Sequence, residues 1–245
     1  MRLVAKRLLA GAALALAATG VSGPTALAAP HVGSDISSTA TTADPAALLA
    51  YVKAKAAAAI SLRESALQAA VLAVGSNLSL APADRASLQS ISNGQAAALA
   101  TLATTIQADP TVVQANADYT AIFLNFRVFV LVLPQVRLAA SADDLTATVI
   151  PRLTDAQGRL EALLSGFDSA KDSAAVQAAR SDLAKQISVM TTATSGVATQ
   201  VLGYHPGDWN GNHAILDAPI AALVRARAAA TAARGDIKAI VTALS

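Results

Sequence analysis

YTAIFLNFRVFVLVLPQVRL, Tyr119 to Leu138, is the stretch whose reading decides the fold. Tyr119, Phe123, Phe126, Val130 and Leu133 recur at helical spacing. Val128, Val130 and Val132 also alternate as a strand does, and β-branched side chains favour that form. A lone strand would have no partner, because no other segment reads as one. The stretch is therefore expected to be the central helix of a bundle, with residues 127–133 the part left open between helix and extended chain. The run between Arg127 and Arg137 is too short to cross a bilayer, and Pro134 interrupts it. A membrane-inserting or partner-binding segment is the alternative.

Working outward, every long segment has a period of three to four. Asp44-Pro45 is a cap followed by a first-turn proline. Leu49, Val52, Ala56, Ile60, Arg63, Leu67, Val71 and Val74 follow on one face, spoiled only by Arg63, and Gly75-Ser76-Asn77 closes the helix. A second helix is expected over 82–108, weakened at Asn93-Gly94, and Asp109-Pro110 should start the third. Ser141 with Asp144 should open a fourth, whose stripe from Leu145 to Phe167 crosses Pro151 at a kink. A fifth should run from about 168–172 to Leu202. In the last, Leu223, Ala226, Ala230, Ala233, Ile237, Ile240 and Leu244 alternate steps of three and four, a coiled-coil-like seam with alanine at its middle. The expected fold is all-α: an antiparallel bundle of long, partly kinked helices with Ala-rich packing, spanning residues 44–245 as one domain.

The N-terminus reads as an export signal over 1–28. Arg2, Lys6 and Arg7 precede an apolar run, and Ala26-Leu27-Ala28 is a small-x-small cleavage site. Residues 29–43 are small, polar and aperiodic, a disordered leader that holds His31. The whole chain has 18 Lys and Arg against 16 Asp and Glu; removal of 1–28 takes three positives and no acid, leaving 15 against 16. That balance gives no basic face for nucleic acid. The absence of cysteine excludes disulfides, thiolate metal sites and cysteine catalysis. The expectation is a secreted protein, in the medium or associated with the cell wall, with no stable membrane span once the signal is gone.

GYHPGDWNGNHAIL, Gly203 to Leu216, stands apart, with the only tryptophan and two of the three histidines. Tyr204, His205, Asp208, Trp209, Asn210 and His213 are the candidate ligand-binding residues. His205 and His213, with Asp208 and Asp217 near, have the donor types for Zn or Cu. Their spacing is not the one-turn separation of a helical metal motif, so no metal or cofactor is assigned. The structural account is an inter-helix joint: Pro206-Gly207 turns, Asn210 to Asn212 cap, and Tyr204 and Trp209 close the bundle end.

No catalytic residue is assigned. Glu64 and Glu161, the only two glutamates, sit on helical patterns beside Arg63 and Arg159. No nucleophile-elbow or phosphate-loop motif occurs. Arg225, Arg227, Arg234 and Lys238 lie off the alanine seam and read as a solvated face.

FRVFVLVLPQVRL (126–138), together with HPGDWNGNHAIL (205–216) before an Ala/Arg-rich terminal helix, resembles the alanine-rich secreted helical proteins of high-GC Gram-positive bacteria. The resemblance implies export and a helical fold, and carries no activity or site residues. The expected function is a secreted, non-enzymatic protein that binds an envelope or extracellular partner or builds part of the envelope. A small-ligand or metal-binding protein using 203–213 is the alternative, and a hydrolase the third. The cleavage pattern predicts a mature N-terminus at or near Ala29. N-terminal sequencing of protein from the culture medium checks it, and an intact Met1 on a membrane-bound product would contradict it.

Overall fold

The computed structural model describes residues 44–166 and 169–245. The expected signal (1–28) and leader (29–43), with His31, lie outside the described residues, as do Phe167 and Asp168. Residues 49–245 form one compact unit. The described part of the unit before it is Asp44 to Leu48, where Asp44 Oδ1 accepts the Ala46 N–H at 3.0 Å and a helix begins.

The elements are α1 (Pro45–Ser76), α2 (Pro82–Ala108), α3 (Val112–Asn125), α4 (Leu133–Asp144), α5 (Ile150–Ser165), α6 (Ala174–Thr194), α7 (Val197–Leu202), α8 (Pro206–Gly211) and α9 (Asp217–Leu244). Wide π-helical turns at Val128–Val132 and Leu145–Val149 lead directly into α4 and α5. No strand occurs among the described residues; 128–133 is helical, Arg127 before it is not, and the fold is an all-α bundle. Lys53, early in α1, donates to the Gln107 carbonyl at the end of α2, so these two run antiparallel. The core has two clusters. One gathers Ile60, Leu67, Leu99, Ile106, Ile122 and Val132 from α1 to α3 and the first wide turn. The other is built on α4 to α7 and α9 around Leu153, Leu183, Met190, Leu223 and Ile240. α1 and the helical run 112–165 are each long and apolar enough to cross a membrane by length and composition alone. Both also supply core residues to these clusters.

The prolines are accommodated in the same way. Pro134 and Pro151 are both second residues of their helices, each just beyond a wide turn. A proline has no N–H to donate and its ring needs room, and a π turn accommodates both. Pro134 therefore does not interrupt the run, contrary to expectation. The break falls earlier, at Phe126 and Arg127.

Four expected helix ends move. Ser141 and Asp144 do not open a helix; the chain passes through them helically, and their neighbourhood caps something else. Asp143 Oδ2 accepts the Ala81 N–H at 2.8 Å, and the Ser79 hydroxyl donates to Asp144 Oδ1 at 3.2 Å, so these acids fasten the α1–α2 turn. Asp109 ends α2 instead of starting α3, whose cap is Thr111, accepting from the Gln114 N–H. The fifth helix starts after a Ser173 cap. It does not reach Leu202 unbroken: Gly196, at φ 72°, takes the left-handed conformation that a side chain disfavours, and separates α6 from α7. Asn93-Gly94 leaves α2 continuous.

α9 lies close along α6, and its Ala226, Ala229, Ala230 and Ala233 are buried in the cluster that α6 shares. Arg225, Arg227, Arg234 and Lys238 face out, as the spacing predicted. Ala230→Leu or Ala233→Leu should destabilise by about 1–3 kcal/mol through overpacking. Thermal unfolding of the two variants reads this; unchanged midpoints would mean the seam tolerates bulk.

Burial, and the charge of Asp84 beside it, push the Asp143 carboxyl above its ordinary range, opposed by the Ala81 hydrogen bond. A carboxyl whose folded pKa is raised penalises the folded state above that pKa and releases the penalty as pH falls through it. Asp143→Asn keeps an oxygen for Ala81 and removes the charge. The variant should match or exceed wild type at neutral pH and lack wild type's gain on acidification. Paired denaturant titrations across pH check the difference; a variant that is weaker at neutral pH and gains equally on acidification would contradict it.

Candidate functional site: a helix break held by Arg63 and Asn210

At the end of α3, Phe126 (φ −122°, ψ 75°) and Arg127 (φ −78°, ψ 47°) leave helical geometry before the chain re-enters it through the wide turn. A helix end exposes carbonyls that need donors. Two distant side chains supply them. Arg63, from the middle of α1, donates from Nε to the Phe126 carbonyl at 3.4 Å and from Nη1 to Ala59 at 3.0 Å. Asn210, in α8, donates from Nδ2 to the Leu124 carbonyl at 2.9 Å, while its Oδ1 accepts from Arg127 Nε at 2.7 Å.

Arg63 is only 7 % exposed. Its guanidinium lies 4.6 Å from the Phe123 ring centroid and 5.5 Å from that of Phe129, and Tyr119 meets Phe123 edge-on at 5.1 Å. The ring faces offer the cation a favourable quadrupole. Burial pushes Arg63 below its ordinary pKa; Tyr119 opposes that shift and the charge of Arg127 adds to it. An arginine stays charged through such a shift. Among the described residues, neither Arg63 nor Arg127 has a carboxylate within ion-pair distance. Two cations thus sit near each other without a counter-charge. Beside them Leu124, Phe129 and Val130 are 46 %, 41 % and 37 % exposed.

The 203–216 segment is an inter-helix joint. Gln135, 1 % exposed, donates to the carbonyls of Val201 at 2.7 Å and Tyr204 at 2.8 Å and so closes the end of α7. Tyr204 packs on the core, and its hydroxyl accepts from Gln200 at 2.8 Å. Asp208 accepts the His205 N–H at 2.8 Å and starts α8; the two side chains are 3.6 Å apart and largely exposed. Trp209 does not anchor the bundle end as expected. It is half-buried and tilts against the exposed His213 ring at 5.6 Å. Only Asn210 of the six candidates reaches the break. No group of three or more His, Asp and Glu side chains is placed to hold a metal ion among the described residues.

Away from the break, a groove of about 320 Å³ between α1 and α2 is lined by Leu67, Val71, Leu72, Ser92 and Ala96. The Ser92 hydroxyl is buried there without a partner.

Sequence reasoning missed Arg63 and Gln135 as working residues. Arg63 had left a signal, as the one charge on an apolar stripe. Gln135, a polar side chain just past Pro134, had left none.

The fold and site define an all-α bundle with an arginine-rich helix break docked by an inter-helix joint. Comparison with protein-family models, curated proteins and solved structures gives no match to this chain. Gln135→Ala should cost about 2–3 kcal/mol, because it strips two carbonyls of their donor in a buried site. Trp209→Ala should cost less than the ~3 kcal/mol of a fully buried aromatic, and His205→Ala and His213→Ala less than about 1 kcal/mol each. A thermal-shift series ranks the four; a histidine variant as damaging as Gln135→Ala would contradict the joint.

Proposed function

We propose that this chain is an exported, non-enzymatic binding protein of the cell envelope or its surroundings, whose working surface is the α3 break with the 203–213 joint against it. The observation that carries this is the pair of arginines, Arg63 and Arg127, without carboxylate partners beside exposed Leu124, Phe129 and Val130. Charges that fold without a counter-charge leave binding energy for a partner that brings one. The N-terminal Arg/Lys start, apolar run and Ala26-Leu27-Ala28 support export. The resemblance to alanine-rich secreted helical proteins supports the same setting.

The second reading is a small-ligand protein using His205, Trp209 and His213; the exposed His213 ring against half-buried Trp209 favours it. The two separate in one pull-down from the producing cell's envelope. Wild type should be retained and Arg127→Gln released, while His213→Ala stays bound. Release by His213→Ala alone would favour the small-ligand reading, and no retention of wild type would contradict both an envelope partner and this surface.

A further inference from the structure

We infer that the α3 break docks on a lipid surface carrying anionic headgroups, with Leu124, Phe129 and Val130 entering its apolar margin and Arg127 meeting the phosphates, while the buried Arg63 adds only its positive field. This rests on the binding function proposed above and names its partner. Three large apolar side chains are exposed within 124–130, where the helix is open. Arg127 sits among them in sequence, half-buried, with its Nε tied to Asn210. Arg63 adds a second positive charge beneath Phe129. The acid of the 203–213 joint, Asp208, is engaged by the His205 N–H.

This combination suits the boundary between headgroup and acyl chain, where apolar side chains enter and an arginine stays at the polar level. A free soluble anion would neutralise the arginines but leave the three apolar side chains in water. An anionic lipid surface satisfies both. Its attraction is about 1 kcal/mol for each Lys or Arg near the surface and fades with salt. The binding is peripheral: the apolar side chains come from the end of α3 and one wide turn, not from a span.

Co-sedimentation with phosphatidylcholine vesicles, with and without phosphatidylglycerol, tests it on the chain as processed by the producing cell. The expected result is sedimentation only with phosphatidylglycerol, reversed by high salt. Arg127→Gln should weaken partitioning roughly fivefold, the loss of one cation near the surface. Val130→Ser, at an exposed position, should weaken it separately, with circular dichroism and thermal midpoint unchanged. Leu72→Ser, exposed elsewhere on α1, should bind as wild type does. Equal binding to both vesicles, an equal loss in Leu72→Ser, or release by inorganic phosphate at matched ionic strength would each overturn the inference, the last in favour of a small-anion site. No vesicle binding overturns it as well. If envelope retention then persists and still needs Arg127, the binding function stands and only the lipid partner falls; if retention also fails, both fall.

Discussion

A guanidinium inside an apolar stripe must find acceptors, and Arg63 organises the N-terminal half of this protein around that need. Leaving a buried charge without hydrogen bonds costs several kcal/mol. α1 by itself offers only the Ala59 carbonyl. The second acceptor, Phe126, is free because α3 stops there. The charge on one helix and the break in another are therefore complementary faults. Each is costly alone, and together they fix where α1, α3 and the first wide turn meet. The aromatic shell of Phe123 and Phe129 makes the arrangement specific to arginine, whose flat cation stacks on rings.

The same logic recurs along the chain. Helix ends here are often closed by side chains from far away in sequence. Gln135 serves the end of α7, Asp143 serves the α1–α2 turn, and Asn210 serves the end of α3. Alanine-rich helices pack closely but bury little area for each residue. Such remote polar fasteners add positional definition that small side chains do not supply. The α6–α9 seam is packed instead, with the α9 alanines in the same core cluster as Leu183 and Met190 of α6.

The periods of three and four made the helices and the alanine seam legible, because burial of one face writes itself directly into spacing. Local caps were legible where they act locally, as Asp44 does. Asp144 misled because an acid near a helix looks the same whether it caps its own helix or a distant turn, and Asp109 because it closes α2 while Thr111 caps α3. The apolar stripe continues across Gly196, so spacing alone did not mark the break there. At the candidate site, Asn210 was visible within an unusual loop, and Trp209 drew more weight than its half-buried place carries. Arg63 and Gln135 were not legible as fasteners, since the Phe126, Val201 and Tyr204 carbonyls they serve lie more than sixty residues away in the chain.

The joint hold of Arg63 and Asn210 on the α3 break is measured most directly by a double-mutant cycle. Stability is determined for wild type, Arg63→Met, Asn210→Ala and the double variant by denaturant unfolding. The two side chains act on one segment, Leu124 to Arg127, so loss of one should loosen the break and lower the worth of the other. The expected coupling energy is about 0.5–1.5 kcal/mol. Additivity within about 0.3 kcal/mol would mean that the two residues fasten the break independently, and would contradict it.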